Sequence, residues 1–586
     1  MSSILLDSLT PHTLAEQIAD TWMSWDSGRQ KWKDRYAELK EYIYATSTAE
    51  TTNSNNPYGH TTHVPKLTQI HDNLGANYAD ALFRGRNWFA YDPANEADND
   101  AQKRRKIHAY ISTKHRLSKF KQQMKLALQD WVQCGNAFGE VSYTIAQSKD
   151  PKTKTPRVSY QGPVFKRINP LDIVFDYTAE SFEKSPKIIR SLMNIADLLI
   201  QAEEDPASAN WDRSVIESVK QIRSVVNQLG PTDTQKEIQR QYDGFTNAYN
   251  YFTSGTVEVL TFYGDIYDNL TQELHRNRRI MVVDRRYVLV NEDIQSLDGK
   301  PYIVHSGWRK RSDNLWAQGP LDNLVGMQYM IDYWENAKSD AFDKILQPDR
   351  VIVGNVEVER NGPVTNYWID DAQGSVQNLA PDVNALNADN QIAIKEAQME
   401  AFAGAPREAM GIRSPGEKTK FEVAQLLNAA GRMFQTKLDQ FEEEFIEPVL
   451  NFELELAWLH LSGSDVAMTF NDDMAVEDFL TITADDLSGS GRLSGRGAQH
   501  YAEQAVLVQE MSNFQNILQG DGELAIHFPA KRRAEVYAGA LGLDRYGMYV
   551  PFGGIAEAAE REQAIAAAQS GADTGVAAVG ALTPQE

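Results

Sequence analysis

Between Gly319 and Leu459, glycine and proline cut the chain into long helical stretches held apart by a short strand-turn-strand, and few folds accommodate that order. Gly319-Pro320 opens a stretch in which Leu324, Met327, Ile331, Trp334, Ala341 and Ile345 recur at helical spacing, until Pro348 ends it by removing a backbone donor. Residues 351–358 then alternate as a strand, Asn361-Gly362-Pro363 is a turn, and Tyr367-Trp368-Ile369 can pair back as a hairpin. A second helix is expected over residues 384–402, followed by a loop bracketed by Gly404-Ala405-Pro406 and Ser414-Pro415-Gly416. Thr419 and Glu422 fit a capping box that starts the longest helix. Its apolar positions are Leu427, Phe434, Leu438, Phe441, Phe445, Val449, Phe452, Leu456 and Leu459, a heptad-like stripe with one stutter beside Pro448, where a kink is expected.

The preceding residues read as one α+β domain. After Thr10-Pro11, the positions Leu14, Ile18, Trp22, Trp25, Trp32, Tyr36, Leu39 and Ile43 predict one long amphipathic helix. Residues 46–63 read as a polar loop whose His60 and His63, lacking a third ligand, are expected to be solvated rather than metal-binding. Helices are expected after Pro65 and over residues 98–113 and 118–132. Strands are expected over 138–144, 158–168, 257–263, 280–290 and 301–305, with a helical excursion over 195–229. Past Gly463, residues 466–470 and 480–482 read as extended, 488–497 as a flexible connector, and 498–541 as helical.

Chemistry is constrained mainly by what is missing. With 81 acidic against 58 basic residues the net charge is −23, which disfavours a protein that grips nucleic acid but permits one past which DNA slides. The single cysteine, Cys134, excludes an intramolecular disulfide and a multi-thiolate metal site, and fits a reducing cytoplasm. The first ten residues have no basic segment leading into an apolar one, and no window is apolar enough to span a membrane, so neither secretion nor membrane insertion is expected. No phosphate-binding G-x-x-x-x-G-K-[ST], H-E-x-x-H or G-x-S-x-G is present. The cluster Gly489, Gly491, Gly495, Gly497 reads as linker, and the pairs Asp472-Asp473 and Asp485-Asp486 read as solvated acidic faces rather than a two-metal site.

The order of these segments resembles that of the portal, or head-to-tail connector, proteins of tailed bacteriophages. Ile168-Asn169-Pro170-Leu171-Asp172-Ile173-Val174-Phe175-Asp176 is similar to a segment of that family's wing. Trp316-Ala317-Gln318-Gly319-Pro320-Leu321-Asp322-Asn323-Leu324, with Gln328 beyond, resembles the entry to its first stem helix. Phe421-Glu422-Val423-Ala424 and Phe441-Glu442-Glu443-Glu444-Phe445-Ile446-Glu447-Pro448 look like the start and kink of its long helix. The resemblance implies a portal fold: wing 1–318, first stem helix 319–347, a small β clip 348–382, second stem helix 383–403, tunnel loop 404–418, long kinked helix and wing return 419–493, helical crown 494–548, and an Ala/Gly-rich tail 549–586.

It also implies a non-enzymatic, homo-oligomeric ring, a dodecamer, at one capsid vertex of the virion, assembled in the host cytoplasm. Double-stranded DNA would pass through it during packaging and ejection. Its partners would be the terminase large subunit, then a head-tail adaptor or neck protein, and the major capsid or scaffolding protein, with no cofactor, metal or membrane. Arg407, Arg413, Lys418 and Lys420 would be tunnel-loop residues near DNA, although a charge run is as readily a solvated face. Leu324, Met327, Ile331, Trp334, Ala341 and Ile345 would pack between subunits, or equally within one chain. Val351, Val353, Tyr367 and Trp368 would form the clip surface that meets the terminase and adaptor and pairs between subunits. Glu442, Glu443, Glu444, Glu447, Glu453 and Glu455 make the long helix acidic, facing either the channel or solvent. Another head or tail structural protein, or a metal-dependent nuclease or packaging ATPase component, stays open as an alternative.

Overall fold

The computed structural model describes residues 4–6, 10–44, 57–83, 88–95, 100–149, 155–225, 256–346, 350–361, 364–370, 373–378, 387–404, 433–471, 476–488 and 491–496. Among them the chain is a mixed α+β protein. The expected first helix is two, Pro11–Gly28 and Gln30–Tyr44, broken at Arg29. The break has a cause that periodicity does not carry. The Arg29 guanidinium is buried and donates to Asp26 and to the carbonyls of Pro170, Leu171 and Ile173 at 2.6–2.8 Å, which fixes the Asn169-Pro170 segment against the helix junction.

That segment leads into a six-stranded sheet. Its path runs Ile173–Phe175, Lys187–Asn194, Thr256–Asp268, Glu273–Val283 and Tyr287–Asp293, all antiparallel, while Ile4–Leu6 pairs parallel to Thr256–Asp268. Ile280-Met281-Val282-Val283 shows no polar alternation because both faces are covered. Ile280 and Val282 pack with Leu14, Ile18 and Trp22 of the first helix, whereas Met281 and Val283 pack with Leu198, Ile216 and Val219 of helices Ile195–Glu204 and Arg213–Val225. The strand expected over 280–290 is two strands. Asp284 and Arg285 adopt left-handed φ of 49° and 60°, and the Arg286 N–H closes on Val283 O at 3.1 Å, a type I′ turn made without glycine.

The larger core joins helices Lys66–Phe83, Ala101–Leu117 and Phe120–Cys134 to a three-stranded sheet, ordered Ile303–Gly307, Asn136–Lys149, Pro156–Ile168, and to the helix of residues 433–460. Tyr78 stacks on Phe434 at 4.5 Å and meets Trp131 and Trp308 edge-on at 5.5 and 5.4 Å. Such pairs add about 0.5–1.5 kcal/mol each beyond the area they bury. Residues expected to be linker also enter this body. Arg492–Gly495 is a strand paired antiparallel with Phe89–Asp92, and a Cβ at Gly495 would sit 2.2 Å from Glu442 Oε1, so glycine permits the approach. Ser464–Asn471 and Val476–Thr483 form an antiparallel pair, as their extended reading predicts.

Candidate functional site

The features singled out by the sequence converge on one helix, Val325–Leu346, about 33 Å long at 1.5 Å per residue. Its entry is held rigidly. Asn136 Nδ2 donates to Ala317 O and the Ala317 N–H donates to Asn136 Oδ1, both at 2.9 Å. Gly135, at φ +74°, lies so close to Gly319 that a Cβ there would be 2.3 Å from the Gly319 nitrogen.

From Gln328 to Asp340 along the helix, a polar stripe at four-residue steps grips the segment 59–67. The Leu67 N–H donates to Gln328 Oε1 at 3.0 Å and Gln328 Nε2 donates to Val64 O at 2.6 Å. The Val64 N–H donates to Asp332 Oδ1 at 2.9 Å. The Thr62 N–H donates to Asn336 Oδ1 at 2.8 Å, and Asn336 Nδ2 returns a bond to Thr62 O at 3.2 Å. Asp340 accepts the N–H groups of Gly59 and His60. Gln328, Asp332 and Asn336 are fully buried, so these side chains supply backbone partners that water cannot reach. His63, expected to be solvated, is buried in this stripe, with Nδ1 2.7 Å from Asp332 Oδ2 and Nε2 3.0 Å from Tyr42 O. His60 is half-buried and reaches Asp343 at 2.8 Å. The sequence carries the stripe as Gln328, Asp332, Asn336 and Asp340, four-residue steps of polar side chains that hydrophobic periodicity does not register.

The apolar face divides the same helix in two. Leu324 and Ile331 are sealed in the chain's own core, and Met327 and Trp334 pack against that core. Those four therefore pack within the chain, one of the two alternatives that the sequence leaves open. Ala341 is half-buried, whereas Phe342, Ile345 and Leu346 are exposed. The returning helix, Ala388–Ala403, packs alongside. Lys338 ties the two helices by donating to Glu335 at 2.7 Å and Asp389 at 2.8 Å. Burial alone would lower its pKa, but the two carboxylates outweigh it and raise the value. Lys66 and Glu400 form a buried ion pair between the returning helix and the main body.

Between these helices lies a ribbon of two antiparallel pairs. Arg350–Val353 pairs with Ser375–Asn378, placing Val351 opposite Gln377 and Val353 opposite Ser375. Val356–Asn361 pairs with Val364–Ile369, placing Val358 opposite Tyr367 and Glu357 opposite Trp368. The single strand expected over 351–358 is thus split, at Gly354, whose φ is +94°. All four residues of Arg350–Val353 are exposed, and Val358, Ile369 and Trp368, the last at 63%, are exposed as well. A two-stranded ribbon with apolar side chains wet on both faces is marginal in isolation.

The long helix contains a π-helical turn, Glu442–Ile446, immediately before Pro448. The Glu447 N–H bonds back to Glu442 O, and the widened turn makes room for the proline ring and its missing donor. The two successive four-residue steps Phe441-Phe445-Val449 cross this turn. Its acidic residues do not form a uniform face. Glu453 is fully buried at 2.5 Å from His115, Glu444 accepts from Lys310 at 2.6 Å, and Glu455 accepts from Tyr302 and the Leu297 N–H. Burial raises the pKa of Glu447, against the Gly495 N–H that donates to it. Glu442 is buried too, leaving Glu443 exposed. Asp486, read as part of a solvated pair, caps a short helix through Thr483 and pairs with Lys106 at 2.7 Å.

Arg407, Arg413, Lys418 and Lys420 lie outside the described residues, as do Asp472-Asp473, nearly all of 494–548, and the tail. Among the described residues no group of three or more His, Cys, Asp or Glu is arranged to hold a metal ion, and no helix is long and apolar enough to cross a membrane. No protein-family model matches the chain, and no curated protein matches it.

Proposed function

We propose that this chain is the ring subunit of a phage-type portal, a channel for double-stranded DNA at one capsid vertex. On this reading the body of residues 1–318 is the wing, helices Val325–Leu346 and Ala388–Ala403 are the stem, and the ribbon between them is the clip. The observation that carries the reading is that ribbon. Val351, Ile352, Val353, Val358 and Trp368 are solvent-exposed at the far end of two tied helices whose near halves are built into the core. Apolar strands in that position are stabilised when neighbouring copies cover them, and a closed cyclic arrangement gives every copy the same neighbours.

The distal residues Ala341, Phe342, Ile345 and Leu346 then supply the contact between stems, in place of Leu324 and Ile331. The clip surface with Tyr367 and Trp368 is the docking point for the terminase large subunit and afterwards for the head-tail adaptor. Arg407, Arg413, Lys418 and Lys420 make transient phosphate contacts, in a protein whose overall acidity otherwise keeps DNA from adhering. Sedimentation of the purified chain tests the oligomer. A particle of about twelve copies of the 65.9 kDa chain supports the reading, and a monomer at all concentrations opposes it.

A further inference from the structure

A cleft of about 280 Å³ lies between the helix break at Arg29 and the loop that leads into the helix Val325–Leu346. Its apolar wall is formed by Trp32 and Trp316, whose rings are 4.5 Å apart, with Trp25 beside them. Tyr36 stacks behind Trp32 at 5.4 Å and also lines the cleft. Its hydroxyl is buried and has no hydrogen-bond partner among the described residues. A buried hydroxyl left unpaired is unfavourable unless water or a ligand completes it.

The charge around the cleft is unlike that of the chain as a whole. Lys31 and Arg35 stand exposed at the rim, one helical turn apart, and neither makes an ion pair among the described residues. Two further arginines line the cleft, but their charges are committed. Arg29 is engaged by Asp26 and three carbonyls, and Arg311 pairs with Asp313. The opposing acid, Asp322, is partly desolvated, which raises its pKa, and it accepts the Gly319 N–H at 2.9 Å. In a chain of net charge −23, Lys31 and Arg35, the latter set against Asp322, leave an excess of positive charge over an indole-walled slot, a local site for an anion that also carries an apolar group.

We propose that this cleft docks an acidic peptide segment of a partner protein, one apolar side chain entering against Trp32 and Trp316 while flanking carboxylates pair with Lys31 and Arg35. The Tyr36 hydroxyl bonds the inserted segment. The volume suits a single side chain, and two cations neutralise too few phosphates to track a nucleic-acid strand. The site does not depend on the channel reading, because it uses neither the ribbon nor the tied helices.

The test is fluorescence anisotropy of the full-length protein with six labelled pentapeptides, each with two glutamates on either side of Phe, Trp, Tyr, Leu, Ile or Met. Saturable binding of at least one peptide below roughly 1 mM is expected, weakened about tenfold or more in Lys31→Glu/Arg35→Glu. Because both residues are exposed, that variant should melt with the wild type. Tyr36→Phe should weaken binding while leaving the melting temperature equal or higher, since it removes an unpaired buried hydroxyl. The proposal is overturned if none of the six binds, if the charge-reversed protein binds as tightly, or if an oligothymidylate binds better than every peptide.

Discussion

Lys187 gives a sharp test of the packing described for the six-stranded sheet. Its side chain is fully buried, donates to Phe182 O at 2.8 Å, lies 4.1 Å from the centre of the Phe182 ring, and makes no ion pair among the described residues. Burial pulls its pKa from 10.5 to about 7, with the charge of Glu183 opposing weakly. In the unfolded chain the ammonium keeps its proton up to its ordinary pKa, so between about pH 7 and 10.5 the unfolded state binds more protons than the folded one. Stability therefore rises with pH through that window and is insensitive to this group below it. At about 1.36 kcal/mol per pKa unit, burying the charged form costs about 5 kcal/mol. Lys187→Met keeps most of the volume and forfeits one hydrogen bond worth about 1 kcal/mol. The variant should thus be more stable than wild type by about 3–4 kcal/mol near pH 6, an advantage that vanishes near pH 10. Urea unfolding of both proteins across this range measures the difference, in which the titration of other groups cancels. A variant less stable near pH 6, or a gap that does not shrink as pH rises, would refute the placement of this lysine.

Three further outcomes are expected. Asp332→Ala leaves His63 Nδ1 and the Val64 N–H without their buried partner and removes one of the two acceptors of Gln328 Nε2, and should lower stability by about 3–5 kcal/mol in denaturant titrations; a loss under about 1 kcal/mol would contradict the stripe. Val351→Lys/Val353→Lys changes exposed positions only, so the subunit's melting should stay within about 0.5 kcal/mol while sedimentation shows fewer assembled particles; a destabilised subunit would mean that the ribbon is closed within one chain. Reversing charge at Arg407, Arg413, Lys418 and Lys420 should leave assembly intact and change DNA retention in packaging assays, whereas loss of assembly would make these residues structural.

Glycine and proline made the helix-ribbon-helix order legible, because Gly319-Pro320, Pro348 and Gly362-Pro363 punctuate whatever surrounds them. The two four-residue steps at Phe441, Phe445 and Val449 likewise mark an irregularity beside Pro448, expected as a kink and present as a π turn. Other features lay beyond periodicity. The turn at Asp284-Arg285 has no glycine to announce it, so two strands read as one. The break at Arg29 depends on carbonyls some 140 residues away in sequence. Glutamates in the long helix read as a charged face, since nothing local reveals that His115, Lys310 and Tyr302 meet them. His63 misled for the same reason: its partner Asp332 is 269 residues away. Residues that satisfy one another across the fold leave no local pattern, whereas residues that stop an element do.

Electron microscopy of the purified, full-length chain puts the central claim to its most direct test. End-on class averages should show closed rings with an open central hole, narrowing in side view to a stalk at the ribbon end, and the stalk should disappear when residues 350–378 are replaced by a short linker. Particles that are single compact subunits, or open filaments without a pore, would contradict the account.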